Sequence, residues 1–134
     1  MAETLVPIEH DSDIVMARRE GRSLATNLGF SGGELALIAT AISEVARNIV
    51  VYAKRGEIRL ELVERDGRKG VKIVARDRGP GIVDIERAMQ DGYSTSKSLG
   101  LGLPGARRLM DEFHIESVIG EGTTVTMTKW GKRQ

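Results

Sequence analysis

Val71-Lys72-Ile73-Val74-Ala75-Arg76-Asp77-Arg78-Gly79-Pro80-Gly81 is an apolar alternation that runs into an acid and then into two glycines. Alternation of this kind reads as a half-buried strand, here Val71 to about Arg76. A strand that ends in an acid and turns on glycines sets a carboxylate beside backbone open to a flat ligand. Taken alone, a capped turn carrying a surface acid is the plainer explanation. Two further pieces give the stretch its weight. Upstream lies a helical segment with Glu44 and Asn48; downstream, Gly100-Leu101-Gly102-Leu103-Pro104-Gly105 opens another helix.

Working outward, Glu57 to Glu64 alternates Ile58, Leu60 and Leu62 against Arg59, Glu61 and Val63. With Asp66-Gly67-Arg68-Lys69-Gly70 as the turn, it pairs with the Val71 strand as a hairpin. Ser31-Gly32-Gly33-Glu34 has the spacing of a capping box, and the helix it opens runs from about Gly33 to Tyr52. Leu35, Ile38, Ala39, Ile42, Val45, Ala46 and Ile49 mark its buried side. Before it, Asp11 or Ser12 caps a helix from Asp13 to about Leu28, striped by Ile14, Val15, Ala17, Leu24 and Ala25, with Gly29 as its stop. Leu5 to Glu9 forms a short strand. On the other side, Asp84 or Ile85 to Met89 is a short helix. Asp91 to Ser98 is polar, with little hydrophobic anchorage, and is the candidate mobile lid. Leu103 to Phe113 is helical; His114–Ile119 and Thr123–Lys129 are strands joined through Gly120-Glu121-Gly122. Three helices on one sheet make an α+β sandwich.

At 134 residues the chain suits one domain, 1–134, able to bury a core without disulfides. It has no cysteine, which excludes thiolate catalysis and thiolate metal sites and fits a reducing compartment. Twenty basic and nineteen acidic residues leave a net charge of +1, which argues against broad binding of nucleic acid. No signal peptide is visible and no stretch reads as a membrane span, so a cytoplasmic protein without membrane contact is expected.

Glu44 and Asn48 are four apart and share one helix face. Facing a triphosphate, Asn48 can offer an amide oxygen to Mg²⁺, and Glu44 can accept a proton from an attacking hydroxyl or water. A solvated helix face explains a lone pair of this kind more simply, and Arg47 between them reads as exposed or partner-facing. The Asp77 carboxylate can accept from an exocyclic purine amine, while Gly79 and Gly81 clear space for the base and permit positive φ. The Gly100–Gly105 loop offers backbone amides to an anion, with Pro104 suited to a first helical turn and Lys97 able to lean over phosphates. A flexible connection before a basic helix (Arg107, Arg108) is the equally simple alternative. His10 and His114 lack metal-site spacing.

The order Glu44…Asn48, Asp77-x-Gly79-x-Gly81, Gly100-x-Gly102 and Gly122-Thr123-Thr124 resembles the GHKL family of ATPases and kinases, with the Bergerat ATP-binding fold. More narrowly, Ile42–Ile49, Gly92-Tyr93-Ser94-Thr95-Ser96 and Gly102–Phe113 look like the switch kinases of bacterial stressosomes. The resemblance implies a two-layer sandwich with helices on one face of a mixed, mostly antiparallel sheet. It also implies a protein serine/threonine kinase using ATP and Mg²⁺. On that analogy Glu44 polarises the acceptor hydroxyl, Asn48 binds Mg²⁺, and Asp77 reads the adenine amine beside Gly79 and Gly81. Gly100, Leu101, Gly102 and Leu103 would line the phosphates with Lys97, and Thr124 would help hold Asp77. Implied partners are STAS-domain antagonist and scaffold proteins as substrates and a PP2C-type phosphatase as the activation target. The neighbouring possibility is an anti-sigma factor with serine kinase activity.

Overall fold

Val71, Ile73 and Ala75 do turn inward, and Asp77 lies on the same buried face two residues further on. They belong to a computed structural model that describes residues 3–90 and 102–132. The strands are β1 (Glu3–Ile8), β2 (Gly56–Arg65), β3 (Arg68–Asp77), β4 (Glu112–Val118) and β5 (Gly122–Trp130). The helices are α1 (Asp11–Asn27), α2 (Gly33–Asn48), α3 (Ile85–Ala88) and α4 (Gly102–Leu109). The sheet order is β1-β2-β3-β5-β4. All four pairings among the described residues are antiparallel, so the expected mostly antiparallel sheet contains no parallel pair there.

The core fills the space between the helices and one sheet face. Ile58 and Leu60 of β2, Val71 and Ile73 of β3, and Val125 and Met127 of β5 meet Ile38, Ile42, Val45 and Ile49 from the long helix. Each such side chain contributes about 1.5–3 kcal/mol on leaving water. Gly21 lets α1 and α2 approach closely, since a Cβ there would run into Ile42 Cδ1. The opposite sheet face is polar: Glu57 faces Arg76, Glu61 faces Lys72, and Thr124, Thr126 and Thr128 line β5. At the far end of that face Trp130 lies over Gly70 and under the Arg65 guanidinium, 4.8 Å from the ring centre. The indole N–H of Trp130 and Arg65 Nη1 both donate to Glu112 Oε2 at 2.8 Å. Those two donors, the indole first, hold the Glu112 carboxyl below its usual range.

Several boundaries differ from the sequence reading. The β2–β3 turn is only Asp66-Gly67, both at positive φ (52° and 79°), the twist that suits a two-residue hairpin. Arg68 to Gly70 therefore pair as strand. The N-cap of α1 is His10, and Asp13 accepts the backbone N–H of Glu9 and His10 at 2.8 and 2.9 Å, which lowers its carboxyl pKa. The Ser31–Glu34 box does not form: Gly32 is the N-cap of α2, and Ser31 contributes its carbonyl to Glu34 N–H instead. Gly29, at φ +94°, does close α1, with Phe30 N–H reaching back to Ala25 O. The α4 helix stops at Leu109, and Phe113 belongs to β4. Its apolar spacing continued past the helix because Phe113 and Ile115 face the same core.

The long helix ends early as well. After Asn48 the chain widens into a π-helical turn, Ile49–Ala53, closed by Lys54 N–H on Ile49 O and by Lys54 at φ +76°. Three successive β-branched residues, Ile49, Val50 and Val51, crowd an ordinary α-turn at that point. Together Gly33–Ala53 is 21 residues and, by length and composition, apolar enough to cross a membrane. That corrects the expectation that no stretch reads as a span. Half of it is buried, and its apolar side chains are the core described above.

Candidate functional site

The inward face of β3 ends at Asp77, and the chain then turns back through Gly79-Pro80-Gly81. Asp77 Oδ1 accepts two backbone N–H groups, from Gly79 at 2.8 Å and from Thr123 at 3.2 Å. The residue is 9 % exposed, and Oδ2 has no hydrogen-bond partner among the described residues. One oxygen is thus fixed by the fold and the other is free to accept from a ligand. The threonine that reaches Asp77 is Thr123, not Thr124. Antiparallel register sets Asp77 opposite Thr123 and Arg76 opposite Thr124, so Thr124 stands on the far face of the sheet. Thr123 is further held by Ser117, their hydroxyl oxygens 2.8 Å apart. The signal for this lay in the alternation of β5: Val125 and Met127 are its core positions, and Thr123, not Thr124, shares their face.

The two glycines serve packing within the protein. A Cβ on Gly79 would lie 2.6 Å from Ala53 Cβ, so this glycine lets the loop lie against the π-helical turn. Gly81 has φ +82°, and a Cβ there would lie 2.6 Å from Val118 O. The β4–β5 tip is stapled to the same loop by Gly120 N–H on Pro80 O (2.8 Å) and Ile82 N–H on Ser117 Oγ (2.7 Å). Loop, π-turn and hairpin tip thus brace the Asp77 end of β3 from both sides.

Glu44 and Asn48 follow on the last turn and a half of α2. Glu44 is 6 % exposed, which overturns the solvated-face alternative for this residue. Its Oε1 accepts the N–H of Gly102 at 3.0 Å, and its Oε2 lies 3.6 Å from Arg47 Nη1. Gly102, at φ +67°, starts α4, so a buried carboxylate sits at that helix's N-terminus, where its charge is favoured. Arg47, read from sequence as exposed or partner-facing, is half-buried and turned toward Glu44. Next to them Ser43 Oγ donates to Ala39 O and accepts from Arg18 Nη1, at 2.9 and 3.4 Å, tying α1 to the same turn. Asn48 is half-buried, and its side chain makes no hydrogen bond among the described residues.

Leu103 departs from the sequence reading: its side chain lies in the core, 5 % exposed, with Ala106 of the same helix and Met110 just past its end. Only its backbone can face a nucleotide. Lys97, Gly100 and Leu101, and the candidate lid Asp91 to Ser98, lie outside the described residues. His114 pairs with Glu116 across 2.9 Å on the outer sheet face, as a surface contact.

The donor set fits a magnesium nucleotide. Among the described residues, Asp77 offers one unpartnered carboxylate oxygen beside glycine backbone and Asn48 an unengaged amide. Among the described residues no cluster of three His, Cys, Asp or Glu could hold a metal alone. An ion carried largely by phosphate oxygens and water, with Asn48 as its protein ligand, suits that set.

Comparison with known proteins sets this geometry in context. Residues 9–129 match the family model described as histidine kinase-like ATPase domain. The chain is 54% identical over 128 residues to the Serine/threonine-protein kinase RsbT of Bacillus subtilis (strain 168), covering 96% of each. It is 34% identical over 120 residues to the Anti-sigma F factor of Caldanaerobacter subterraneus subsp. tengcongensis, covering 85% of this chain and 82% of that one. The Mycobacterial sensor histidine kinase MprB superposes with a TM-score of 0.57 at 14% identity, covering 99% of this chain and 100% of that one. The catalytic domain of the histidine kinase ThkA gives 0.54 at 13% identity, covering 96% and 95%. At such identities these two structures speak for the fold alone.

Proposed function

This chain belongs to the histidine kinase-like ATPase family, and from that premise we propose that it is the kinase of a partner switch. It is an ATP-dependent protein serine/threonine kinase, acting as one ATP-binding domain over 1–134 in the cytoplasm. Its acceptors are seryl or threonyl hydroxyls on STAS-domain antagonist and scaffold proteins of a stressosome. Released from them, it binds and activates a PP2C-type phosphatase. The observation that carries this reading is the 54% identity, over 96% of both chains, to a serine/threonine-protein kinase. The buried Glu44 carboxylate at the start of α4 supports it in chemical terms.

ATP with Mg²⁺ supplies the phosphoryl group and most of the charge neutralisation. Phosphoryl transfer asks the protein mainly for positioning. Asp77 Oδ2 accepts from the adenine amine while Thr123 and Gly79 keep Oδ1 in place. The backbone of Gly79 and Gly81 would border the base, and Asn48 would hold the metal. Glu44 takes the proton of the incoming hydroxyl on a carboxylate oxygen, each of which has a lone pair besides the one turned to Gly102 N–H or Arg47. Gly102 and the Leu103 backbone would line the phosphates, and the family resemblance adds Lys97, Gly100 and Leu101 to that contact set.

The test is transfer of the γ-phosphate label from Mg-ATP to the STAS proteins encoded near this chain, beside Glu44→Ala. Label on a seryl or threonyl residue, lost in Glu44→Ala while nucleotide affinity stays within about tenfold, supports the reading. Binding of ATP without transfer moves the assignment to a docking module. The 34% identity to an anti-sigma factor favours a second reading, in which the chain also retains an RNA polymerase sigma factor. Co-purification of a sigma factor with the tagged chain decides for that alternative.

A further inference from the structure

Arg47 is the one charged side chain of the Glu44–Asn48 turn that the reading above leaves without a task. It stands three residues after Glu44, one turn along α2, with Nη1 3.6 Å from Glu44 Oε2. Its own side chain is 34 % exposed, whereas that of Glu44 is 7 % exposed. An ion pair between two exposed groups contributes next to nothing. Here one partner is a carboxylate taken out of water, and such a group left unpaired is costly. The other oxygen of Glu44 is already engaged by Gly102 N–H. The carboxylate is therefore gripped at both ends, from α4 on one side and from its own helix on the other.

We infer that Arg47 is a positioning residue for phosphoryl transfer, acting through Glu44. A glutamate has three rotatable side-chain bonds, and each contact on its carboxylate narrows that freedom. The contact from Arg47 acts on Oε2 and so bears on the plane in which that oxygen is offered. A base misplaced by about 1 Å costs on the order of a hundredfold in rate. Arg18, from α1, secures the neighbouring Ser43 and so steadies the helix turn from which both side chains project.

This role rests on the kinase reading, and its test keeps the two apart. Arg47→Ala, Arg47→Lys, Glu44→Ala and the double variant Arg47→Ala/Glu44→Ala are compared with the wild-type chain in the labelled-ATP assay. Expected are a fall in kcat of roughly 10- to 100-fold for Arg47→Ala, KM for ATP within about threefold, and partial recovery in Arg47→Lys. In the Glu44→Ala background the arginine change should cost nothing more. Amide exchange at Gly102, followed by NMR without any acceptor, should speed up in Arg47→Ala and slow again in Arg47→Lys. A rise in KM alone overturns the inference in favour of a nucleotide contact. Unchanged kcat together with an unchanged Gly102 amide overturns it outright. A wild-type chain that transfers no label defeats the kinase reading and this role with it, a result distinct from the failure of Arg47 alone.

Discussion

At the scale of single residues, the carboxylates divide the labour. Asp77 fixes one oxygen and offers the other, so Asp77→Asn keeps an acceptor for Gly79 and Thr123 but turns an amide toward the base. ATP affinity is expected to drop roughly tenfold or more, the scale of a hydrogen bond to a charged group, with little change in Tm; isothermal titration calorimetry reads the first and a thermal melt the second. Thr124→Val should leave that affinity within about twofold, because its side chain is on the other sheet face. Asp13 and Glu112 act on stability instead. Both carboxyls sit below their ordinary values of 3.8 and 4.5, so the unfolded chain takes up those protons before the folded one. Their contribution is complete above those ordinary values and is lost as pH falls through the lower, folded ones. An Asp13→Asn/Glu112→Gln chain should show a flatter decline of Tm between about pH 5 and about pH 3 than the wild type. The placement of Glu44 and Asn48 on one helix face and of Asp77 at a strand end was legible from spacing, while their roles came only from the family resemblance. The grip of Arg47 was not legible, since a charge between two polar positions looks the same whether solvated or paired.

At the scale of elements, the π-helical turn decides where the Asp77 loop can lie. Gly79 accepts Ala53 against its backbone, and its φ is not in the positive range, so steric fit is its whole requirement. Gly79→Ala should cost about 1–3 kcal/mol by overpacking, and Ala53→Gly in the same chain should return part of it; urea titration of the single and double variants measures both. A Gly79→Ala chain as stable as wild type would mean the loop rests elsewhere. The helices and strands themselves were largely legible, because periods of 3.6 and 2 survive in the side chains that face the core. The wider turn was invisible, since Ile49, Val50 and Val51 look like a helix continuing. So was the end of α4, where Phe113 prolongs an apolar rhythm that now belongs to a strand.

At the scale of the whole molecule, the site is assembled from four places: the end of α2, the end of β3, the start of α4 and the start of β5. Asp77 and Thr123 are 46 residues apart and meet only because β5 lies beside β3 in the middle of the sheet. Local pattern cannot supply that adjacency, although the alternation of Thr123, Val125 and Met127 already sets Thr123 rather than Thr124 on the core face. The same dependence makes nucleotide binding a property of the complete fold. Ile42, fully buried between α1, α2 and the sheet, should cost about 2–5 kcal/mol as alanine, and ATP binding should disappear in step with the folded fraction in a denaturant series. The strand that brings Thr123 to the site carries the single tryptophan of the chain at its other end. Seven residues of extended backbone, about 24 Å, separate them. Under Arg65 and bonded to Glu112, that indole is a built-in optical gauge, and saturating ATP should leave its emission unchanged while urea shifts it to the red. Light from one end of β5 therefore reports whether the protein is folded, and stays silent about whether the other end is occupied.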